Sequence, residues 1–121
     1  MPAIALLQYD PRVTQTLSLL LSQEFSAVYT ARSVDELQTQ IRKHRAQAAI
    51  VDMELASVDD LEALSHEFPA VRFVCNHRLA DDALWTAVMN AGAADCVPSF
   101  DIEGMVSAAS LDCEAVHAAA A

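Results

Sequence analysis

Short continuous apolar runs alternate along the chain with longer stretches in which apolar residues recur at helical spacing. Residues 3–7 are continuously apolar, as expected of a strand buried on both faces of a sheet, and residues 26–31, 48–51, 71–75 and 95–97 are predicted to be further short strands. Between and after them, apolar residues recur every three or four positions, as in amphipathic helices. Five strand–helix units within residues 1–110 predict one α/β domain, with a parallel sheet covered by helices on both faces.

Several polar residues and glycines mark the predicted helix boundaries. Asp10 is a suitable N-cap and Pro11 suits the first helical position. Ser33, followed three residues later by Glu36, has the spacing of a capping box. Gly92 suits the left-handed conformation that ends many helices. Because the chain has only two glycines, the glycine-rich loops that hold dinucleotides or phosphates are excluded.

The chain is strongly acidic, with 17 acidic and 7 basic residues and a net charge of −10. Nucleic-acid binding requires a basic surface, so the charge argues against direct contact with nucleic acid or with anionic membranes. It is compatible with a divalent cation or a basic protein partner. The start M-P-A-I lacks the basic region of a signal peptide, and no apolar run is long enough to span a bilayer, so we expect a cytoplasmic protein. The three cysteines have no zinc-site spacing and are expected to be reduced.

Polar residues stand where the predicted strands end. Right-handed crossovers bring these ends to one edge of the sheet, where open α/β proteins bind ligands and carry out chemistry. A single crevice is therefore expected to be lined by the residues at the strand ends: Gln8, Tyr9, Asp10, Asp52, Cys75, Asn76, Pro98 and Ser99.

Two stretches carry a resemblance to a known family. The third predicted strand reads A-A-I-V-D-M-E-L, and the approach to the fifth reads N-A-G-A-A-D-C-V. Together with the spacing of the units, they resemble the receiver domain of bacterial response regulators over roughly residues 3–110. The resemblance implies a flavodoxin-like (βα)5 doubly wound fold, strand order 2-1-3-4-5, with Asp52 at the phosphoacceptor position. The alanine-rich tail, residues 111–121, is expected to extend the last helix or to begin a linker.

In receiver domains, an aspartate accepts a phosphoryl group from a histidine kinase with the help of Mg²⁺. The ion is held by two acidic residues after the first strand, the phosphoacceptor and a backbone carbonyl, while a hydroxyl group and a lysine contact the phosphoryl oxygens. In this sequence the acidic pair aligns with Gln8 and Tyr9, and the carbonyl position with Glu54. The hydroxyl position aligns with Cys75 and the lysine position with Ser99.

These replacements define the functional hypotheses. An amide and a phenol are poor Mg²⁺ ligands, and each lost electrostatic contact is worth ~2–4 kcal/mol of transition-state stabilisation. The first hypothesis is a non-enzymatic pseudo-receiver in two-component phosphorelay signalling, with no cofactor. It would bind a histidine kinase, an output domain or another protein. The alternative is a working phosphoacceptor receiver whose Mg²⁺ site combines Asp52 with Asp10 or Glu54. A small α/β enzyme that uses Asp52 is the third.

Two further features are singled out by the resemblance. Receivers make dimer and output contacts through the fourth helix, fifth strand and fifth helix. Trp85 and Met89 lie on that fourth helix, so Trp85 is a candidate contact in a homodimer or with a partner, unless it packs beneath the tail. Cys75 and Cys96 occupy the positions of the receiver switch residues on neighbouring strands. They are either core residues or a redox switch.

Overall fold

A computed structural model describes residues 2–110. Within this range five strands alternate with five helices: β1 (Ala3–Leu7), α1 (Pro11–Leu21), β2 (Ala27–Ala31), α2 (Val34–His44), β3 (Ala48–Asp52), α3 (Val58–Glu67), β4 (Arg72–His77), α4 (Asp82–Ala91), β5 (Asp95–Pro98) and α5 (Ile102–Ser110). The predictions for the tail, residues 111–121, lie outside the described residues. Among residues 2–110, none of the helices is both long enough and apolar enough to cross a membrane.

The five strands form one sheet in the order β2-β1-β3-β4-β5, and every neighbouring pair is parallel. This confirms the predicted flavodoxin-like architecture and the strand order 2-1-3-4-5. The order leaves β1 and β3 side by side at the centre, with β4 next to β3. The carboxyl ends of these strands therefore meet near the point where the strand order reverses, which is where open α/β sheets place their ligand sites.

Two apolar cores lie on opposite faces of the sheet. On one face, buried residues of α2, α3 and α4 pack against alternate strand residues such as Ala49, Val51 and Cys75. On the other face, buried residues of α1 and α5 pack against the intervening strand residues such as Ile50 and Val74. Because successive strand residues point to opposite faces, position along a strand determines which core each side chain joins.

The helix boundaries follow the sequence signals closely. Ser33 Oγ accepts a hydrogen bond from Glu36 N at 3.1 Å, which is the serine half of the predicted capping box. A complete two-way box begins α3, where Ser57 and Asp60 each bond the other's backbone N–H. Gly92 ends α4 with φ of 115°, in the left-handed region as predicted.

Strand β4 is longer at its carboxyl end than the apolar run predicts. It continues through Asn76 and His77, which pair with Val97 and Pro98 of β5. The apolar pattern stops at residue 75 because the next residues are polar, but cross-strand pairing keeps their backbone extended. The longer strand brings Asn76 into register with Asp52.

Candidate functional site

Four polar side chains share one face of the sheet at its carboxyl edge. Gln8 follows β1, Asp52 ends β3, Asn76 lies near the end of β4, and Ser99 follows β5. Each stands two positions after a residue of the core beneath α1 and α5, namely Leu6, Ile50, Val74 and Val97. The two-residue period of strands therefore places all four on the same side.

Asp52 is a buried carboxylate held by two backbone groups. It is 4% exposed. Its Oδ2 accepts a hydrogen bond from Tyr9 N and its Oδ1 accepts one from Glu54 N, each at 3.0 Å. Hydrogen bonds to an ionised carboxylate are stronger than those between neutral groups. Through these two hydrogen bonds, Asp52 connects the turn after β1 to the loop after β3.

A neutral amide network lies beside Asp52. Gln8 Nε2 donates to Asn76 Oδ1 at 2.7 Å, and Asn76 Nδ2 donates back to Gln8 Oε1 at 3.1 Å. Asn76 Nδ2 also donates to Ser99 Oγ at 2.9 Å. Asn76 is fully buried, and within the described residues no buried side-chain nitrogen or oxygen lacks a partner. The network is therefore self-contained: its amides satisfy one another without an ion.

The two candidate additional metal ligands are engaged elsewhere. Asp10 is exposed and caps α1, where its Oδ1 accepts a hydrogen bond from the backbone N–H of Arg12 at 2.8 Å. Glu54 Oε1 pairs with Arg78 Nε at 2.9 Å. Tyr9 meets Asp52 through its backbone N–H, while the residue is 68% exposed. Each of the two extra carboxylates therefore has a partner other than Asp52.

Cys75 lies in the interior and not at the crevice. It is fully buried in the core beneath α2, α3 and α4, directly opposite Cys96 in the pairing of β4 with β5. Burial, followed by the neighbouring Cys96, raises the pKa of the Cys75 thiol; burial is also the main cause that raises the pKa of Cys96. The residue beside Asp52 on β4 is Asn76, one position later than the aligned Cys75. Along β4 successive residues join opposite cores: Val74 packs beneath α1 and α5, and Cys75 packs beneath α2, α3 and α4. This alternation indicates that Asn76, and not Cys75, lies on the same face as Asp52.

The donor set at this edge does not fit the divalent-cation site that the receiver resemblance implies. Mg²⁺ prefers several hard oxygen ligands, usually including carboxylates. Here the Asp52 carboxylate is flanked by the amides of Gln8 and Asn76. In the part of the chain that the structure describes, no group of three or more His, Cys, Asp or Glu side chains is placed to hold a metal.

Two large aromatic side chains, one on α4 and one in the loop before α5, are exposed. Trp85 on α4 is 47% exposed, and Phe100, in the loop before α5, is 83% exposed. Met89 is partly buried and packs against the core beneath α2, α3 and α4. Trp85 therefore presents part of its indole to the surface, whereas Met89 contributes to the core.

Comparison with known structures identifies this arrangement. A response regulator from Burkholderia pseudomallei, solved with a phosphorylated aspartic acid, a calcium ion and citrate, matches with a TM-score of 0.79 at 18% identity, over 99% of this chain and 72% of that chain. The chain has the receiver-domain fold. A response regulator from Thermotoga maritima matches this receiver fold with a TM-score of 0.78 at 18% identity, over 92% of this chain and 99% of that one.

A third receiver structure adds an assembly to the comparison. The beryllofluoride-activated NtrC4 receiver domain dimer matches with a TM-score of 0.76 at 14% identity, over 90% of this chain and 96% of that one. No protein-family model and no curated protein sequence matches the chain. The receiver fold is thus established by structural similarity, and the residues at its carboxyl edge have to be judged on their own chemistry.

Proposed function

We propose that this protein is a pseudo-receiver: a non-enzymatic signalling module of the two-component type that acts through protein contacts and has lost efficient phosphorylation. The observation that carries the proposal is the neutral network of Gln8, Asn76 and Ser99 beside Asp52. Receiver chemistry needs anionic metal ligands and a lysine at this edge. The resemblance aligns Gln8 and Ser99 with two of those charged positions.

Phosphoryl transfer to Asp52 would meet two energetic obstacles, one from charge repulsion and one from lost hydrogen bonds. The attacking carboxylate and the phosphoryl oxygens are all negative. The side chains of Gln8 and Asn76 beside Asp52 are neutral, and the Arg78 guanidinium is already paired with Glu54. Loss of two stabilising contacts worth ~2–4 kcal/mol each slows the reaction by roughly 10³- to 10⁶-fold. In addition, admitting an ion would require opening the Gln8–Asn76 pair, and buried amides left without partners are costly.

The surface supports a role in binding other proteins. Trp85 stands partly exposed on α4, and large aromatic side chains are frequent anchors of protein interfaces. We infer that the partner is a histidine kinase, an output domain or another signalling protein, or a second copy of the chain. In keeping with the sequence analysis, the proposal places this activity in the cytoplasm, without nucleic-acid or membrane contact by this domain.

Intact-mass spectrometry after incubation with Mg²⁺ and acetyl phosphate tests the proposal. The expected result is no phosphoryl adduct on the folded protein, under conditions in which an active receiver, treated in parallel, is modified. The Asp52→Asn variant is the matched control for any addition at other residues.

An adduct on the wild-type chain that is absent from Asp52→Asn would overturn the proposal in favour of a working phosphoacceptor receiver. The variants Asp10→Asn and Glu54→Gln would then show which carboxylate completes its Mg²⁺ site, because loss of the true ligand would abolish the adduct.

A further inference from the structure

Exposed apolar side chains are grouped in the loops at the carboxyl edge of the sheet. Tyr9 after β1, Leu79 after β4 and Phe100 after β5 are all exposed. The loops after β1 and β5 are three strand spacings apart. Because neighbouring strands are ~4.8 Å apart, the group spans roughly 14 Å. Single exposed apolar residues are ordinary, whereas a group of large ones on one surface is typical of a site that binds another molecule.

A groove between the loops after β3 and β4 adds a recess to this surface. Its volume is about 360 Å³, within the range of ligand pockets. The ion pair of Arg78 with Glu54 joins the two loops, and His77 Nδ1 accepts a hydrogen bond from Leu79 N at 2.9 Å. These contacts hold the walls of the groove. Besides Leu79, four apolar residues line it: Met53, Ala56, Val58 and Leu84.

An exposed aspartate lies close in sequence to each of the three exposed apolar residues. Asp10, Asp81 and Asp101 stand before α1, α4 and α5, and Asp81 also lines the groove. In each aspartate, Oδ1 accepts one hydrogen bond from a backbone N–H, at 2.8, 2.8 and 3.0 Å. Within residues 2–110, no hydrogen bond reaches their Oδ2 atoms and no ion pair includes them. Each therefore keeps one carboxylate oxygen without a partner in the described chain.

The carboxyl edge as a whole is strongly negative. Its loops and first helical turns contain ten acidic residues and three basic ones, Arg12, Arg32 and Arg78. The amino ends of the five helices offset this charge by ~0.5 each, which leaves a net charge of roughly −4 to −5. The sign agrees with the net charge of −10 for the chain. The stretches counted are residues 8–14, 32–37, 53–61, 78–85 and 99–105.

We propose that the carboxyl edge binds a basic amphipathic segment of a partner protein. Apolar side chains of the segment pack on the three exposed apolar residues, with one of them in the groove, while its Lys or Arg side chains face the three aspartates. Charge selects this occupant, because nucleic acid, an anionic membrane and a second copy of the chain would each bring further negative charge to the edge. Such a segment would cover the edge at which a phosphodonor has to reach Asp52, so the assignment deepens the proposed function and rests on it.

Fluorescence anisotropy on the full chain, without a phosphodonor, tests the assignment. The probe is a short fluorescein-labelled peptide with Leu and Phe at helical spacing on one side and Lys at the remaining positions. One control probe has Glu in place of Lys, and a second has Ser in place of Leu and Phe. We expect the Lys peptide to bind, the Glu peptide not to bind, and the Ser peptide to bind roughly tenfold more weakly or worse. Added salt should weaken the complex because exposed charges are screened.

Matched variants separate docking at this edge from general attraction between opposite charges. Leu79→Ser should weaken binding roughly tenfold, the effect of losing an anchoring side chain. Leu19→Ser should leave binding unchanged, because Leu19 is similarly exposed (66% against 69% for Leu79) but lies towards the far end of α1. Asp81→Asn retains a helix cap and should weaken binding roughly two- to fivefold, the effect of one exposed ion pair. Glu24→Gln makes the same charge change beyond the end of α1 and should have no effect.

Three outcomes would overturn the proposal. The first is a folded wild-type chain that does not bind the Lys peptide. The second is equal binding of the Lys and Ser peptides, or equal binding by Leu79→Ser and Leu19→Ser, which would reduce the attraction to net charge. The third is self-association that Leu79→Ser abolishes in a chain that ignores the peptide, which would assign the edge to a second copy.

Failure of this proposal and failure of the proposed function are distinguishable. An adduct at Asp52 is detected by intact mass in the absence of peptide, and it overturns the pseudo-receiver assignment. Loss of docking is detected by anisotropy in the absence of a phosphodonor, and it overturns the assignment of the edge to a basic segment.

Discussion

Asp52→Asn removes one negative charge and one hydrogen-bond acceptor from the carboxyl edge while keeping the shape of the side chain. In the folded protein Oδ1 accepts a hydrogen bond from Glu54 N and Oδ2 accepts one from Tyr9 N, each at 3.0 Å. Asparagine has a single carbonyl oxygen. Its NH₂ group would therefore face one of these two backbone N–H groups, and donor would meet donor.

The expected cost follows from these two contacts. A hydrogen bond to a charged group contributes ~1.5–3 kcal/mol, and a buried donor without a partner costs ~1–3 kcal/mol. Removal of a buried charge relieves part of its desolvation cost and offsets some of this loss. We expect the free energy of unfolding of Asp52→Asn to fall by about 2 kcal/mol, which corresponds to a decrease in Tm of roughly 8 °C for a domain of this size.

Urea unfolding and thermal melting followed by circular dichroism measure this change. Asp10→Asn is the matched control: it makes the same chemical replacement at an exposed N-cap, where Asn and Asp are nearly equivalent, and should change stability by less than ~0.5 kcal/mol. If Asp52→Asn is as stable as wild type, or more stable, the reasoning fails. A gain in stability would indicate that Asp52 stores electrostatic strain, as a site kept for chemistry does.

Two further predictions concern backbone conformation and pH. Gly92→Ala should lower Tm by roughly 4–12 °C, because a Cβ at φ of 115° would lie 2.4 Å from Ser65 Oγ; an unchanged melting curve would contradict this. Burial raises the pKa of Cys75 and Cys96 in the folded protein, so their contribution to stability is complete below the unfolded thiol pKa of roughly 8.5 and is lost as pH rises through the folded pKa. Urea unfolding at increasing alkaline pH should show this decline, with a smaller decline in a Cys75→Ala, Cys96→Ala variant; equal slopes would refute the assignment.

Local sequence signals were sufficient for the elements and their order. The apolar run that predicts the first strand matches β1, Ala3–Leu7, at both ends. Asp10 and Gly92 lie at the helix ends that their chemistry indicates. The spacing of apolar residues and the chemistry of helix caps each involve only a few neighbouring residues. They can therefore be recognised without knowledge of the rest of the chain. The strand–helix alternation then restricts the topology, because parallel crossovers have one hand.

The environment of Asp52 depended on contacts that no local pattern contains. Gln8 and Asn76 form their amide pair across 68 positions of sequence, although β3 separates β1 from β4 in the sheet. A shift of one residue along a strand turns a side chain to the opposite face, which is why Asn76 and not Cys75 stands beside Asp52. The sequence was enough to predict the alternating elements and the parallel sheet, and the receiver resemblance located the neutral residues at the expected metal and lysine positions. The tertiary structure was needed to show that Gln8 and Ser99 meet Asn76, and not Cys75, in one network beside Asp52, because strand register and the face to which each side chain points are set by packing between distant segments.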